Sequence, residues 1–398
     1  MSAVEIAVSR RRWAPHNQVL PSLVIVAGIA GCGGGFVSLA PSRLVSGTPV
    51  PLWTATAAPL VVLLAAAGAV LFALGFAAPR RALSYLAAAV AAAALFATLA
   101  AAGSAAAELA AGAPPAAAIG LGAGFWVVFA CVALALIEAL QRAAAAAPTR
   151  LLAACLAAAG FWIMAKTGMF DALSLAHEYL SRHEIFAAAI VRHTALVLGA
   201  LVPALLIGVP LGLLALRRQR IEAPLFAVLN LLQTVPSIAL FGLLIAPLAG
   251  LASALPALAA LGIGGVGPAP AIIALILYAL LPIARNTLAG IGGVSPAAID
   301  AARGMGMTDR QIFWRVEMPL ALPVLLAGLR IVTVQTIGLA VVAALIGAGG
   351  LGAFVFDGLG QYATDLVLLG ALPAIAMALA VDLLLRLATG GASRRVAS

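Results

Sequence analysis

The chain has 398 residues, of which 65% are hydrophobic and only 9% charged, and its mean hydropathy is +1.18. So little polar surface excludes a water-soluble globular domain. The net charge of +9 does not point to nucleic acid, because the basic residues lie scattered at the ends of apolar runs rather than on one patch.

The apolar runs are continuous rather than alternating. The expected class is therefore an all-α polytopic membrane protein, since helices satisfy their own backbone groups in lipid. Runs of the bilayer-crossing length predict about ten spans, near 19–40, 56–78, 82–103, 117–140, 150–168, 191–216, 224–247, 270–290, 320–347 and 366–388.

Residues 1–168 hold the first five predicted spans. They are Ala-rich, show no internal repeat and contain few polar groups, Glu108 and Glu138 among them. They read as an extension that stabilises or regulates. Arg10, Arg11 and Arg12 precede the first run. Within that run Ile29-Ala30-Gly31-Cys32 looks like a lipoprotein cleavage box, although the apolar stretch continues to Ala40 and reads as a span. Cys32, Cys131 and Cys155 fall inside apolar runs, so no disulfide framework is expected. His16, His177, His183 and His193 lack ligand spacing, so neither metal nor cofactor is expected. The single lysine, Lys166, follows Ala165, and no G-K-[ST] phosphate loop exists. The chain is not expected to be an enzyme, and ATP would have to be hydrolysed elsewhere.

Residues 169–190 form a more polar connector, predicted to hold a surface helix outside the membrane. Residues 191–390 then carry the polar side chains that lie inside spans, which marks the working half. Asn230, Gln233, Thr234 and Ser237 follow i, i+3, i+4 and i+7, one helical face. They either line a substrate path or serve as interhelical hydrogen-bond glue. Pro236 would free a carbonyl near residue 232. The segment 251–267, broken by Pro256, reads as a re-entrant or interfacial connector. Tyr278, Pro282, Arg285 and Asn286 form a second stripe, with Arg285 and Asn286 anchoring at an interface.

The segment 295–319 is polar between two apolar runs and predicts helix–Gly–helix. Ser295 would cap the first helix and Pro296 occupy its first turn. Gly304 and Gly306 interrupt it. Thr308 with Gln311 fits a capping box for the second helix. That helix would present Ile312, Phe313 and Val316 on one face and stop at Pro319. Such an element is shaped to plug a partner's groove, or is an ordinary solvated loop. Farther on, Arg330 sits well inside a span and must reach water or a partner. Thr333 and Thr336 follow on about the same side and are further candidates for the path. Asp382 and Arg386, near the last inner end, read as an i, i+4 helix-surface pair with no transport role. Gly347, Gly349, Gly350 and Gly352 read as a gate or a turn.

With the N-terminus inside, seventeen of the 22 basic residues fall at inner ends. Arg43, Lys166, Arg182 and Arg192 fall outside. By the positive-inside rule both termini and the 295–319 element are cytoplasmic.

The run Asp300-Ala301-Ala302, then Gly306, Val316 and Met318-Pro319, resembles the E-A-A-x3-G-x9-I-x-L-P signature of binding-protein-dependent ABC importer permeases, with Asp for Glu, Val for Ile and Met for Leu. Thr234–Leu240, Tyr278–Thr287, Arg303–Thr308 and Ile346–Gly352 are similar to permeases of osmoprotectant importers, which carry glycine betaine, choline and related quaternary amines. The resemblance spans about residues 190–390. It implies a five-span type I importer core in the bacterial inner membrane, working as a dimer with a second copy or paralogue. It also implies a separate ABC ATPase subunit and an extracytoplasmic solute-binding protein. It assigns ATPase coupling to Asp300, Ala301, Ala302, Gly306 and Pro319. The alternatives are a permease for another small, amino acid-like solute and an ion-coupled secondary transporter. The latter would need a mid-span carboxylate or paired broken helices. An intramembrane hydrolase would need a His–Ser or paired-Asp constellation, which the spans lack.

Overall fold

The computed structural model describes residues 15–42, 45, 47–114, 116–260 and 262–397, with side chains to Thr389. Arg10, Arg11, Arg12 and Arg43 lie outside the described residues, as do the side chains of Arg394 and Arg395. The chain divides between Ser181 and Arg182 into two compact units. Among the described residues, nine helices are long and apolar enough to cross a membrane.

In the first unit, α1 (Val19–Gly33) has only 15 residues. The first predicted span ends early because Gly34 turns the backbone to an extended conformation, ψ 151°. The remaining apolar residues form β1 (Val37–Ala40), flanked by β2 (Thr48–Val50) and β3 (Ala118–Leu121) in an antiparallel sheet of order β2-β1-β3. Ser38 lies opposite Pro49 on one side and Gly120 on the other. The sheet is the one departure from the helical expectation. β1 and β3 are short apolar pieces at the ends of predicted spans, whereas β2 lies in the segment between two of them.

A short α2 (Leu52–Ala55) leads to α3 (Ala58–Phe76), α4 (Arg81–Ala111), α5 (Ala123–Arg142) and α6 (Ala147–Lys166). The 31-residue α4 turns Ala91, Ala94, Ala101, Ala102 and Ala105 inward. Small side chains let neighbouring helices approach closely where lipid supplies no hydrophobic drive. Phe36, Val37 and Phe125 pack on that face. The helix α6 buries none of its residues within the unit. The connector contributes α7 (Ser174–Ser181).

In the second unit, α8 (His183–Arg217) begins eight residues before the predicted span and absorbs the end of the connector. It is followed by α9 (Gln219–Thr234), α10 (Ser237–Ala254), the short α11 (Pro256–Ala260) and α12 (Pro268–Gly292). The predicted span 224–247 is thus two helices, and the crossing segment is Ser237–Ala254. Then come α13 (Pro296–Gly304), α14 (Asp309–Ile312), α15 (Met318–Val342), α16 (Leu351–Gly360) and α17 (Thr364–Ala397). Leu196, Phe241, Leu275 and Ile337 bring α8, α10, α12 and α15 into one core. Gly212 of α8 sits so near α12 that a Cβ would lie 2.6 Å from the Ala284 carbonyl oxygen.

Candidate functional site

The polar segment between α12 and α15 folds as the local signals direct, with two departures. Pro296 starts α13, but the Ser295 side chain makes no capping bond. At the other end, Gly306 N–H donates to the Arg303 carbonyl at 2.9 Å and Met307 N–H donates to the Ala302 carbonyl at 3.1 Å. This pair of bonds is a Schellman closure, which needs a left-handed residue. Gly306 supplies it with φ +82°. The predicted capping box forms. Gln311 N–H donates to Thr308 Oγ1 at 3.4 Å, and Thr308 N–H donates to Gln311 Oε1 at 2.9 Å.

The second departure is at Pro319, which does not stop the helix. A π turn over Phe313–Glu317 carries α14 into α15, with Met318 N–H bonded back to the Phe313 carbonyl. Pro319 sits in the first turn of α15, where a missing N–H is tolerated. The predicted apolar face turns inward. Ile312 is buried, Phe313 and Val316 are half-buried, and Trp314 points outward at 59% exposure.

The element stands on the ends of three spanning helices. Phe313 and Ile299 pack against Leu213 and Leu216 of α8, Ile291 of α12, and Ala321 of α15. The Arg217 guanidinium lies 5.9 Å from the Phe313 ring centre. Ala302 is buried at the root, whereas Asp300, Ala301, Gly306 and Pro319 are exposed. Met305, at 71%, is also exposed, as Trp314 is. Arg303 and Asp309 pair across the Gly306 turn at 3.6 Å.

The candidate path residues are not one face of one helix, because the chain breaks at Val235-Pro236. Pro236 cannot donate to the preceding turn, and the residue before a proline is driven to extended geometry. Val235 has ψ 126°. Gln233 Nε2 donates to the Tyr278 carbonyl at 2.8 Å, and the Tyr278 hydroxyl donates to the Val235 carbonyl. The carbonyl seen captured by a side chain is therefore that of Val235 rather than one near 232. Asn230 Oδ1 accepts from Arg285 at 3.2 Å, and the same guanidinium stands 5.6 Å from the Phe226 ring centre. Thr234 is exposed and its hydroxyl donates to Leu231, while Ser237 is half-buried in the first turn of α10. Thr333 and Thr336 are buried, and each donates to its own helix, at Leu329 and Val332. Gln233 and Tyr278 thus brace the break, which Thr234 and Ser237 flank in the chain, and the two threonines of α15 lie inside the packed unit.

The glycine run is a tight turn. Gly347, Gly349 and Gly350 all have φ between +75° and +78°. Arg192 Nε donates to the Ala348 carbonyl at 3.1 Å, and Gly267 N–H donates to the Ile346 carbonyl at 2.7 Å. Residue spacing could not reveal the Arg192 contact, because its partner is a backbone atom 156 residues away.

Two family descriptions match this chain. Residues 204–397 match the binding-protein-dependent transport system inner membrane component. Residues 16–176 match the N-terminal domain of the ABC transporter permease YehY. The carnitine transport permease protein OpuCB of Listeria monocytogenes is 42% identical over 191 residues, which is 48% of this chain and 80% of that protein. The chain belongs to the binding-protein-dependent ABC importer permeases. Further relatives of this permease are the choline transport system permease protein OpuBB of Bacillus subtilis and the osmoprotectant import permease protein OsmW of Salmonella typhimurium. The first is 38% identical over 49% of this chain and 83% of its own length. The second is 39% identical over 52% of this chain and 92% of its own length.

Proposed function

We propose that this permease is the membrane subunit of an ATP-driven importer for osmoprotectants such as glycine betaine, choline or carnitine. The observation that carries the reading is the α13–Gly306–α14 knob, capped at its inner joints, rooted on three spanning helices and bearing exposed Met305 and Trp314. In this reading a separate ABC ATPase receives the knob in a groove. A solute-binding protein delivers cargo from outside, a second permease copy or paralogue completes the pore, and both termini are cytoplasmic. Closure of the ATPases pushes the knob, and the continuous helical path from Asp309 to Ile346 carries the displacement into the membrane.

The substrate class comes from the relatives, whose names specify carnitine, choline and osmoprotectants. An ion-coupled mechanism would need a free mid-span carboxylate or paired broken helices, and Asp382 is instead paired with Arg330 and Arg386. The test is uptake of radiolabelled glycine betaine, choline and carnitine by cells expressing the full permease with its ATPase and binding protein. ATP-dependent accumulation of at least one is expected. Accumulation of none of the three, with uptake of an amino acid instead, would move the permease to another solute.

A further inference from the structure

Arg330 lies twelve residues beyond Met318, about 18 Å along α15 at 1.5 Å per residue. A guanidinium at that depth needs a partner, because hydrocarbon offers no solvation. Its Nε lies 3.2 Å from Asp382 Oδ1 on α17. The other carboxylate oxygen, Oδ2, accepts from Arg386 Nε at 2.6 Å, one turn along the same helix. The side chains of Arg330 and Asp382 are 30% and 25% exposed, and that of Arg386 is 60% exposed. The arrangement is asymmetric. Asp382 keeps a partner if Arg330 is removed, whereas Arg330 has no other counter-charge among the described residues if Asp382 is removed.

The two helices so joined have different connections. The knob runs without a break into α15 through the π turn, while α17 reaches α15 only through the short α16 and its turns. The two also pack directly against each other. Apolar contacts between membrane helices gain no hydrophobic drive, because lipid and side chain are equally apolar, so polar contacts weigh more in setting how two helices meet. An ion pair in a low-dielectric site fixes register, which is the best-attested use of a buried pair.

We propose that Asp382 is a positioning residue for transport: through Arg330 it locks the register of α15 against α17, so that a push on the knob moves both spans together. The inference rests on the reading of α13–α14 as the ATPase-coupling element.

The experiment compares Arg330→Gln, Asp382→Asn, Asp382→Glu and the double variant Arg330→Gln/Asp382→Asn in the full permease with its ATPase and binding protein. Three quantities are read: permease in the membrane, ATP hydrolysed, and glycine betaine, choline or carnitine taken up per ATP. Asp382→Asn is expected to lower the membrane amount more than Arg330→Gln does, because it strands a charge. The double variant is expected to restore the amount and to hydrolyse ATP within about twofold of wild type. Uptake per ATP should still fall at least about fivefold, within the range of single-site effects on coupling. Asp382→Glu, which keeps the charge, is expected to recover the uptake ratio.

A double variant with the wild-type uptake per ATP would show a pair kept for packing alone and would overturn the proposal. So would a double variant that fails to accumulate, or an Asp382→Glu variant that stays uncoupled. Failure of the importer reading itself is separate, since the wild-type permease would then accumulate none of the three amines in an ATP-dependent manner.

Discussion

Gln233 and Tyr278 brace one helix break from both directions: the glutamine amide donates to the tyrosine's backbone carbonyl, and the tyrosine hydroxyl donates to the carbonyl of Val235. A break in a membrane helix frees backbone groups that hydrocarbon cannot satisfy, so side chains, neighbouring helices or water must do so. The two bonds act on the same two-residue hinge, so their losses are not independent. Gln233→Leu and Tyr278→Phe are each expected to destabilise the purified permease by about 0.5–1.5 kcal/mol. The double variant should cost less than the sum. Thermal unfolding in detergent measures all three, and strict additivity would show that the bonds support separate features.

Gly306 offers a cleaner backbone test. A Cβ there would meet nothing within 4 Å, so space is not the constraint. The constraint is φ +82°, which costs an ordinary L-residue about 1–2 kcal/mol. Asn, which visits this region readily, should be tolerated. Gly306→Val should open the Schellman closure and re-aim α14, and Gly306→Arg should do the same. Both are expected to insert normally while losing stimulation of ATP hydrolysis by the binding protein. Normal stimulation in both would remove the coupling role from this turn.

What the sequence made legible was local. The Thr308–Gln311 box and the Gly306 interruption are set by residues within four positions of each other, and both form. Pro296 at the helix start is local too. The misreadings have one common source, a competing longer-range or backbone term. Pro319 reads as a stop, but the preceding π turn changes which N–H groups the helix needs. The segment Val37–Ala40 reads as the end of a span, yet its backbone finds partners in strands near residues 48 and 120. The stripe 230–237 reads as one face until Pro236 breaks the helix. Arg330 could be recognised as needing a partner, but nothing local names Asp382, 52 positions away.

The first unit is expected to be dispensable for translocation. It has its own cores, built on Phe36, Phe125 and the alanine face of α4 and on Leu20, Leu71 and Ala135. A chain beginning at Arg182 should insert and support weak ATP-dependent uptake. Uptake indistinguishable from background, with normal membrane amounts, would place part of the path in residues 1–181.

The last expectation concerns the path itself. A quaternary amine carries no N–H donor, so its cation is held by carbonyl oxygens or aromatic faces, and a carboxylate, where present, needs donors. The hinge at Val235-Pro236 is flanked by hydroxyls and an amide of this kind. Their availability differs, because Gln233 is engaged with Tyr278 and Asn230 with Arg285, while Thr234 is exposed. Weak contacts of both signs suit a route that must release its cargo. With Cys32, Cys131 and Cys155 replaced by serine, single cysteines at 230, 233, 234 and 237 are exposed to a membrane-impermeant thiol reagent. Thr234→Cys and Ser237→Cys should label fastest, and Asn230→Cys and Gln233→Cys in at least one state of the transport cycle. Glycine betaine, choline or carnitine at saturating concentration should slow the labelling at 234 and 237. Cysteines at Val228, Leu232 and Val235 should stay unlabelled, with Val228 the most telling because at 58% exposure it is not shielded by packing within this chain. Labelling at 228, 232 and 235 with protection at all four polar positions would make the polar residues interhelical glue and move the path to other helices.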